Sequence, residues 1–170
     1  MLTGMDLVVL LDLSRRRDAW TDSQVARSCG LADAALLASL DRAERAHLYS
    51  SGRRRVNYLS LKEFVLVAVR YVFATEEEPA GARRRRGVPT AWSSPPLSRQ
   101  IRSAGAVVWP DPRGDVLGTR VIQPLAPQAV EVARRDPEMH ELLALVDAIR
   151  AGRARERALA GQDLAQRLAP

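Results

Sequence analysis

Cysteine, lysine and histidine are nearly absent from this chain of 170 residues. Cys29 is the only cysteine, so an intramolecular disulfide framework is excluded. The two histidines, His47 and His140, have no Cys, His or carboxylate set at metal-ligand spacing, so we expect no metal centre and no cofactor. The chain also has no glycine-rich phosphate loop and no Gly-x-Ser-x-Gly elbow, and we expect that it is not an enzyme.

Long apolar runs are missing as well. No segment reaches the roughly 20 apolar residues that a membrane-spanning helix needs. The apolar run at residues 7–11 is flanked by Asp6 and Asp12 and has no basic segment before it, which argues against a signal peptide. We therefore expect a cytoplasmic location and no membrane partner. An apolar content of 46% nevertheless excludes wholesale disorder.

What the chain has in excess is arginine. Of its 26 basic residues 25 are arginine and only Lys62 is lysine, and the net charge is +6. The excess lies in residues 1–73 and 74–124, at +3 each, whereas residues 125–170 carry seven basic and seven acidic groups. Together with the abundant alanine, this composition is typical of a GC-rich genome. Clusters of arginine are therefore better evidence for a polyanionic partner than their total number.

The most informative segment runs from Thr21 to Leu31 and is followed by a second helical run to residue 46. Thr21 and Gln24 have the spacing of a capping box, which predicts the start of a helix. Gly30 stands where a tight turn between two helices requires a positive φ. These features predict a helix, a turn and a second helix.

The second helix is followed by a predicted two-stranded hairpin. Three residues at helical spacing form the apolar face of this helix: Leu36, Leu40 and Ala43. A short strand over residues 48–50 and a turn at residues 51–55 come next, and Val56 begins the return strand. The turn carries three consecutive arginines, which suit contact with a phosphate backbone.

This order of elements resembles the winged helix-turn-helix domain of bacterial transcription regulators, especially the MarR-like group and the winged antitoxins of toxin–antitoxin operons. The resemblance covers roughly residues 3–73. It implies a homodimer that binds duplex DNA with its second helix in the major groove. The rest of the chain looks like that of uncharacterised bacterial proteins that add a Pro-rich middle and a helical C-terminus. Some of those proteins are encoded beside nucleotidyltransferase-type toxins.

The resemblance implies three groups of DNA-binding residues. The second helix would touch bases or flank the groove with Ala35, Ser39, Arg42 and Arg45. The start of the first helix of the pair would bond phosphates with Thr21, Ser23 and Gln24. Arginines at the hairpin tip would hold further phosphates: Arg53, Arg54 and Arg55. Outside the segment that carries the resemblance, the dense charge of the basic arm indicates additional phosphate contacts by Arg83, Arg84, Arg85 and Arg86. Base discrimination would be modest, since only Arg42 and Arg45 have side chains suited to bidentate base contacts.

The predicted fold class is mainly α with a small β-wing, in three segments. Residues 1–73 form the winged helix-turn-helix domain, which begins with a helix over residues 4–16. Residues 74–124 form a basic, Pro-rich loop and a short hairpin. Residues 125–170 form helices that pack on the rest or mediate dimerisation, and Asp136-Pro137 is a typical helix start.

Two segments carry more detailed expectations. The helix predicted over residues 58–73 is apolar on nearly all sides, so it must meet another subunit, meet the C-terminal helices, or be fully buried within the chain. Residues 76–87 predict a mobile basic arm, which could alternatively pair with its own Glu76–Glu78. Residues 106–122 predict a hairpin that turns at residues 111–114 and is anchored by Trp109.

Two smaller questions concern single features. Arg15–Arg17 at the end of the first helix are either a solvated terminus that suits the helix dipole or a phosphate contact. Cys29, in the turn region, is either a small core residue or a redox switch that would push the two helices apart.

Two functions are compatible with these features. The first is a homodimeric transcription regulator that binds duplex DNA through a recognition helix and an arginine-rich wing. The alternative is an antitoxin-type interaction module that neutralises a partner toxin and also represses its own operon. RNA binding by the basic arm is less favoured because the arm contains no aromatic residue on which bases could stack.

Overall fold

The computed structural model describes residues 1–16, 20–75 and 83–169. Within these ranges the protein is mainly helical with small sheets, which confirms the fold class at that level. The helices are α1 (Gly4–Arg16), α2 (Asp22–Cys29), α3 (Asp33–Arg45), α4 (58–72), α5 (Ala129–Arg135), α6 (Pro137–Ala151) and α7 (Ala154–Arg167). The strands are β1 (Tyr49–Ser50), β2 (Arg55–Val56), β3 (Arg85–Pro89), β4 (Val107–Pro110), β5 (Val116–Gly118) and β6 (Arg120–Val121).

Helix α1 lies at the centre of the molecule. Its residues 6–14 are all buried, and it packs against α2, α3 and α6. The sequence spacing predicts only an apolar stripe on this helix. Helices from both ends of the chain cover it instead, so one hydrophobic cluster contains residues from all three predicted segments, among them Leu10, Trp109 and Leu145.

The first buried carboxylate of α1 belongs to Asp6, which is 0% exposed. Arg42 of α3 donates to it from Nε over 2.9 Å and from Nη2 over 2.7 Å, and the Ser39 hydroxyl donates over 2.7 Å. The backbone N–H of Thr3 donates a further bond over 2.7 Å. Burial by itself would raise the pKa of Asp6, but the bonds from Arg42, Ser39 and Thr3 outweigh it and hold the pKa below its ordinary value.

The second buried carboxylate of α1 belongs to Asp12. It accepts hydrogen bonds from Arg15 and Arg16 in the next turn of the helix and from the Ser28 hydroxyl of α2, which lies 2.9 Å away. Arg15 also pairs with Asp136 and Glu138 at the start of α6. Arg15 and Arg16 therefore do not form a freely solvated terminus, while residue 17 lies outside the described residues.

The predicted order of a helix, a turn and a second helix is confirmed over residues 21–45. The Thr21 hydroxyl accepts from the N–H of Gln24 over 3.3 Å, and the Gln24 side chain accepts from the N–H of Thr21 over 2.9 Å, which completes a capping box. Gly30 adopts φ 67°, in the left-handed region that favours glycine. The N–H of Leu31 then bonds to the carbonyl of Ala26 over 2.8 Å and closes the turn.

Helix α4 is partly covered rather than fully buried. It runs as an α-helix over Tyr58–Glu63, as a π-helix over Phe64–Ala68 and as an α-helix again over Val69–Val72. One side packs on α6 and α7, which confirms the predicted alternative that this helix meets the C-terminal helices. Four large apolar side chains of the helix are nevertheless exposed: Leu59 at 73%, Val67 at 61%, Tyr71 at 73% and Val72 at 54%. Full burial within the chain is therefore wrong.

The strands of the middle segment do not form the predicted hairpin. The four-stranded sheet has the order β5-β3-β4-β6, so β3 lies between the two strands expected to pair. β3 is antiparallel to both neighbours, and β4 and β6 are parallel. Two glycines allow the backbones of these segments to approach closely. A Cβ on Gly87 would collide with the Trp109 carbonyl, and a Cβ on Gly114 would collide with the backbone of Gly87.

The basic segment before this sheet is also different from the prediction. Residues 85–89 form the strand β3 rather than a mobile loop, because Val88 and Gly87 are buried and the strand is paired on both edges. Arg83 and Arg84 precede the strand and are exposed. The pairing of the arm with Glu76–Glu78 falls outside the described residues.

A buried polar network joins the sheet to α6. The Asp147 carboxylate accepts from the Thr90 hydroxyl over 2.8 Å, from Trp109 Nε1 over 2.5 Å and from Arg150 Nη1 over 2.5 Å. Burial raises the pKa of Asp147, and Arg150, Thr90 and Trp109 oppose that rise. Trp109 is 1% exposed, so it anchors this region as predicted.

Helix α6 begins where the sequence predicts it. Asp136 Oδ1 accepts from the N–H groups of Glu138 over 3.0 Å and of Met139 over 3.2 Å, and Pro137 is the first helical residue. The helix ends before Gly152, where a Cβ would collide with the carbonyl of Ala148. This glycine therefore permits the tight junction between α6 and α7.

We predict that Asp6→Asn destabilises the protein by about 2 kcal/mol at pH 7, because it leaves Arg42 beside a neutral group. The pKa of Asp6 is lowered in the folded state, so its stabilisation is complete above the unfolded value near 3.8. The stabilisation is lost as the pH falls through the lower folded value. Urea unfolding of both proteins at pH 7 and pH 3 should therefore give a difference that shrinks at the lower pH.

The matched control is Asp41→Asn, whose partner Arg45 is 69% exposed in its side chain. Exposed pairs of this kind contribute little to stability. An equal loss of unfolding free energy in the two variants would contradict the role given to Asp6.

Candidate nucleic-acid interface

The outer face of α3 is open. Its exposed residues are Asp33, Ala34, Ala35, Leu37, Ala38, Asp41 and Arg45. This places Ala35 and Arg45 outward, as the sequence predicts. The face carries two carboxylates, one guanidinium and otherwise apolar groups, so it offers methyl contacts more than hydrogen bonds to bases.

Two predicted base-contacting residues are not on this face. Ser39 is 1% exposed and Arg42 is directed at α1, where both bond to Asp6. The expectation that Arg42 faces outward and that Ser39 reaches the groove from its flank is therefore wrong. The physical reason is that the buried Asp6 needs donors, and these two side chains of α3 are the ones that supply them.

Arg45 keeps an exposed position but already has a partner. Its Nη2 lies 2.7 Å from Asp41 Oδ2, and the two side chains are 69% and 66% exposed. Exposed ion pairs are weak because water screens them. Arg45 can therefore exchange Asp41 for a phosphate at low energetic cost.

The hairpin formed by β1 and β2 is tied to the end of α3. Tyr49 pairs with Val56 in an antiparallel register. Glu44 accepts from the Ser51 hydroxyl over 2.5 Å and from the Ser51 N–H over 3.0 Å. These bonds lower the pKa of Glu44, so the anchoring carboxylate stays ionised at neutral pH.

The tip of the same hairpin lies against the start of α2. Arg54 Nη2 donates to Asp22 Oδ1 over 2.8 Å, and the guanidinium lies 4.3 Å from the centre of the Trp20 ring. Trp20 in turn contacts Tyr49, with 6.5 Å between ring centroids. Arg54 therefore holds the hairpin in place, which makes it a structural residue as well as a candidate phosphate contact.

The other two arginines of the tip are exposed. Arg53 and Arg55 flank a shallow cavity of about 310 Å³ that is also lined by Asn57 and Tyr58. The start of α2 adds three exposed polar residues to this end of the molecule: Thr21, Ser23 and Gln24. The capping box uses the oxygens of Thr21 and Gln24 as acceptors, which leaves the hydroxyl proton and the amide N–H₂ as donors.

The arginines at residues 83–86 form a separate exposed group. Arg85 lies opposite Gly118 in the sheet, and Arg86 Nη1 donates to the carbonyl of Gly114 over 3.2 Å. Because β3 is paired on both edges, Arg85 and Arg86 belong to a sheet and cannot act as a freely moving arm. They remain candidate phosphate contacts at a defined position.

Sequence reasoning missed the two acidic residues that organise the arginines. Asp6 draws Arg42 inward, and Asp22 draws Arg54 onto α2. The available signal for Asp6 is weak: an aspartate in an otherwise apolar helix that is covered on all sides must find a donor from another element. Asp22 resembles an ordinary first-turn acid, and the sequence alone shows no sign of its contact with Arg54.

Comparison with protein families, with curated proteins and with solved structures finds no match for this chain. In the described ranges no group of three His, Cys, Asp or Glu side chains is placed to hold a metal ion. Over the same ranges, no helix combines the length and apolar character that crossing a bilayer requires. The function must therefore be inferred from the arrangement of α2, α3 and the β1–β2 hairpin.

Cys29 lies beneath this surface, in the last turn of α2. The thiol is 0% exposed. Burial, together with the nearby charge of Asp12, raises its pKa to about 12. The thiolate that redox chemistry requires is therefore scarce, and the structure favours a small core residue over a switch.

We predict that Cys29 does not react with a disulfide reagent in the native protein at pH 8. A pKa near 12 lowers the thiolate fraction about a thousandfold relative to an ordinary thiol. The measurement is the rate of colour release from 5,5′-dithiobis(2-nitrobenzoic acid) with and without 6 M urea. Comparable rates under the two conditions would contradict burial of the thiol.

Proposed function

We propose that the protein binds duplex DNA, with α1–α3 and the β1–β2 hairpin acting as a winged helix-turn-helix. The observation that carries the proposal is that the hairpin is tied to both helices of the pair. Ser51 bonds to Glu44 at the end of α3, and Arg54 bonds to Asp22 at the start of α2. The exposed face of α3, the start of α2 and the arginines at the tip therefore belong to one rigid unit, as docking on a duplex requires.

In this proposal phosphate contacts dominate over base contacts. Arg53 and Arg55 at the tip and Arg45 at the end of α3 supply positive charge, while the rest of the α3 face consists of three alanines, Leu37 and the acidic Asp33 and Asp41. Alanine can touch thymine methyl groups but donates no hydrogen bond to a base. Each copy of the chain then discriminates weakly between sequences, so specific binding needs two copies on a palindromic site.

We predict that replacing Arg53 and Arg55 together by glutamine weakens binding to the DNA upstream of the coding sequence. The slope of log affinity against log salt should fall by about 1 for each phosphate that the variant no longer neutralises. Fluorescence anisotropy with a labelled duplex between 50 and 250 mM NaCl measures both quantities.

The control is Arg99→Gln with Arg102→Gln, which removes the same charge from two exposed positions outside the helix pair and hairpin. We expect the control to keep the wild-type salt slope. The proposal fails if the wild-type protein binds no duplex at 50 mM salt, or if the two double variants weaken binding equally.

A second candidate function, an antitoxin-type interaction module, is favoured by the open side of α4. Leu59, Val67, Tyr71 and Val72 are exposed there, and apolar side chains clustered on one surface are typical of a protein-interaction site. A toxin or a second copy of this chain would bury them. The two functions are compatible, since one surface can bind a protein while the other binds DNA.

We predict that Val67→Asp lowers the association of the full chain with its protein partner by at least tenfold, because a charge would be buried in the contact. The measurement is sedimentation velocity of the chain alone and co-purification with the product of the neighbouring gene. Leu117→Asp is the control, since Leu117 is also an exposed apolar residue, at 54%, but lies in β5. A chain that is monomeric and captures no neighbouring product would remove this candidate.

A further inference from the structure

A cavity lined with arginine lies between the end of α4, the junction of α6 and α7, and β6. Its volume is about 410 Å³, within the range of small-molecule sites. None of its described lining residues is acidic, and five are arginines: Arg70, Arg120, Arg150, Arg153 and Arg157. So many like charges around one concave space favour an anion as occupant.

Arg150 is the structural member of this set. Its side chain is only 5% exposed, and it forms an ion pair with the buried Asp147. Its Nε donates to the carbonyl of Phe73 over 2.7 Å, and its Nη1 donates to the carbonyl of Gln123 over 3.2 Å. Arg150 therefore fixes the end of α4 against α6, and its own charge is balanced by Asp147.

Two of the other arginines donate to carbonyl groups of the α6–α7 junction. Arg157 donates to the carbonyl of Gly152 over 2.8 Å, and Arg120 donates to the carbonyl of Ala151 over 3.1 Å. Bonds to neutral carbonyl groups orient a guanidinium without cancelling its charge. Arg70, Arg153 and Arg157 form no ion pair with a carboxylate of the described residues.

The backbone at the junction of α6 and α7 adds a second source of attraction for an anion. Arg153 precedes the first turn of α7, and no side chain of the described residues caps this 14-residue helix. Its first N–H groups therefore have no side-chain cap, and the start of a helix favours negative charge, of which Glu156 in the first turn supplies one. Gly152 lines the cavity at the same point, where a Cβ would collide with Ala148 and Glu156.

We propose that this cavity binds a small phosphorylated anion of the diphosphate class. Planar guanidinium groups match the oxygens of a phosphoryl group in pairs, and two phosphoryl groups supply the charge that several arginines require. Tyr71 lines the rim and is 73% exposed, so a ring attached to the diphosphate would have an aromatic surface to stack on. The proposal concerns a site other than the α2–α3 surface and does not depend on DNA binding.

The test is isothermal titration of the full chain in a phosphate-free buffer with 150 mM NaCl. The probes are inorganic pyrophosphate, ADP and adenosine, which separate the diphosphate from the attached ring. We expect one site per chain for pyrophosphate and ADP and no binding of adenosine. Tighter binding of ADP than of pyrophosphate would support stacking of the attached ring on Tyr71. Absence of heat for both phosphorylated probes at 1 mM, or binding of adenosine alone, would overturn the proposal.

Variants place the binding in the cavity rather than on the basic surface as a whole. Arg153→Gln with Arg157→Gln should weaken pyrophosphate binding at least tenfold, and so should Arg70→Gln, whose guanidinium lies 5.1 Å from the Tyr71 ring centre. The control pair, Arg155→Gln with Arg102→Gln, removes the same charge at exposed positions outside the lining. Equal weakening by the control pair would overturn the proposal.

One further variant separates an external ligand from the chain's own carboxylates. Glu76, Glu77 and Glu78 follow Thr75, a lining residue, in the sequence. A chain with all three replaced by glutamine should bind pyrophosphate at least as well as the wild type does. Binding by this variant in the absence of any binding by the wild type would show that the arginines serve internal acids, which would overturn the proposal.

Discussion

The structure depends on a central helix that is buried on every side and yet carries two aspartates. A buried carboxylate is costly unless donors reach it, so the elements packed on α1 must bring those donors. Arg42 and Ser39 of α3 supply them to Asp6, and Ser28 of α2 supplies one to Asp12. The same two carboxylates thus fix how both helices of the pair sit on α1. Through Arg15, the network extends to the start of α6 and joins the two ends of the chain.

This constraint limits which side chains of α3 can contact DNA. An arginine that bonds inside the fold does not face outward, so Arg42, one of the two α3 side chains suited to base contacts, is withdrawn from the open face. What remains outside is a small surface of apolar groups with two carboxylates, Asp33 and Asp41, and the positive charge lies at Arg45 and at the hairpin tip. Such a surface suits backbone contacts, in which affinity comes from phosphates and depends on salt. The arginines of the α6–α7 junction form a different kind of site, because they surround a concave space instead of edging an open one.

Local sequence signals predicted the helices well and the long-range contacts poorly. The capping box at Thr21, the turn at Gly30 and the Asp136 cap each depend on residues a few positions apart, so their spacing is enough to predict them. The inward turn of Ser39 and Arg42 depends on Asp6, more than 30 residues away, and apolar periodicity does not report where polar neighbours point. The prediction of the sheet was wrong for the same reason: nothing local in residues 85–89 indicates that they insert between β4 and β5.

The claim on which this account depends is that Arg42 belongs to the fold through Asp6. A double-mutant cycle with Asp6→Asn and Arg42→Gln, measured by urea unfolding at pH 7, tests it most directly. We expect the two changes to be strongly non-additive, with a coupling free energy of about 1–3 kcal/mol, because either one alone already breaks the same ion pair. Additive losses of unfolding free energy, with no coupling between the two residues, would contradict the account and return Arg42 to the outer face of α3.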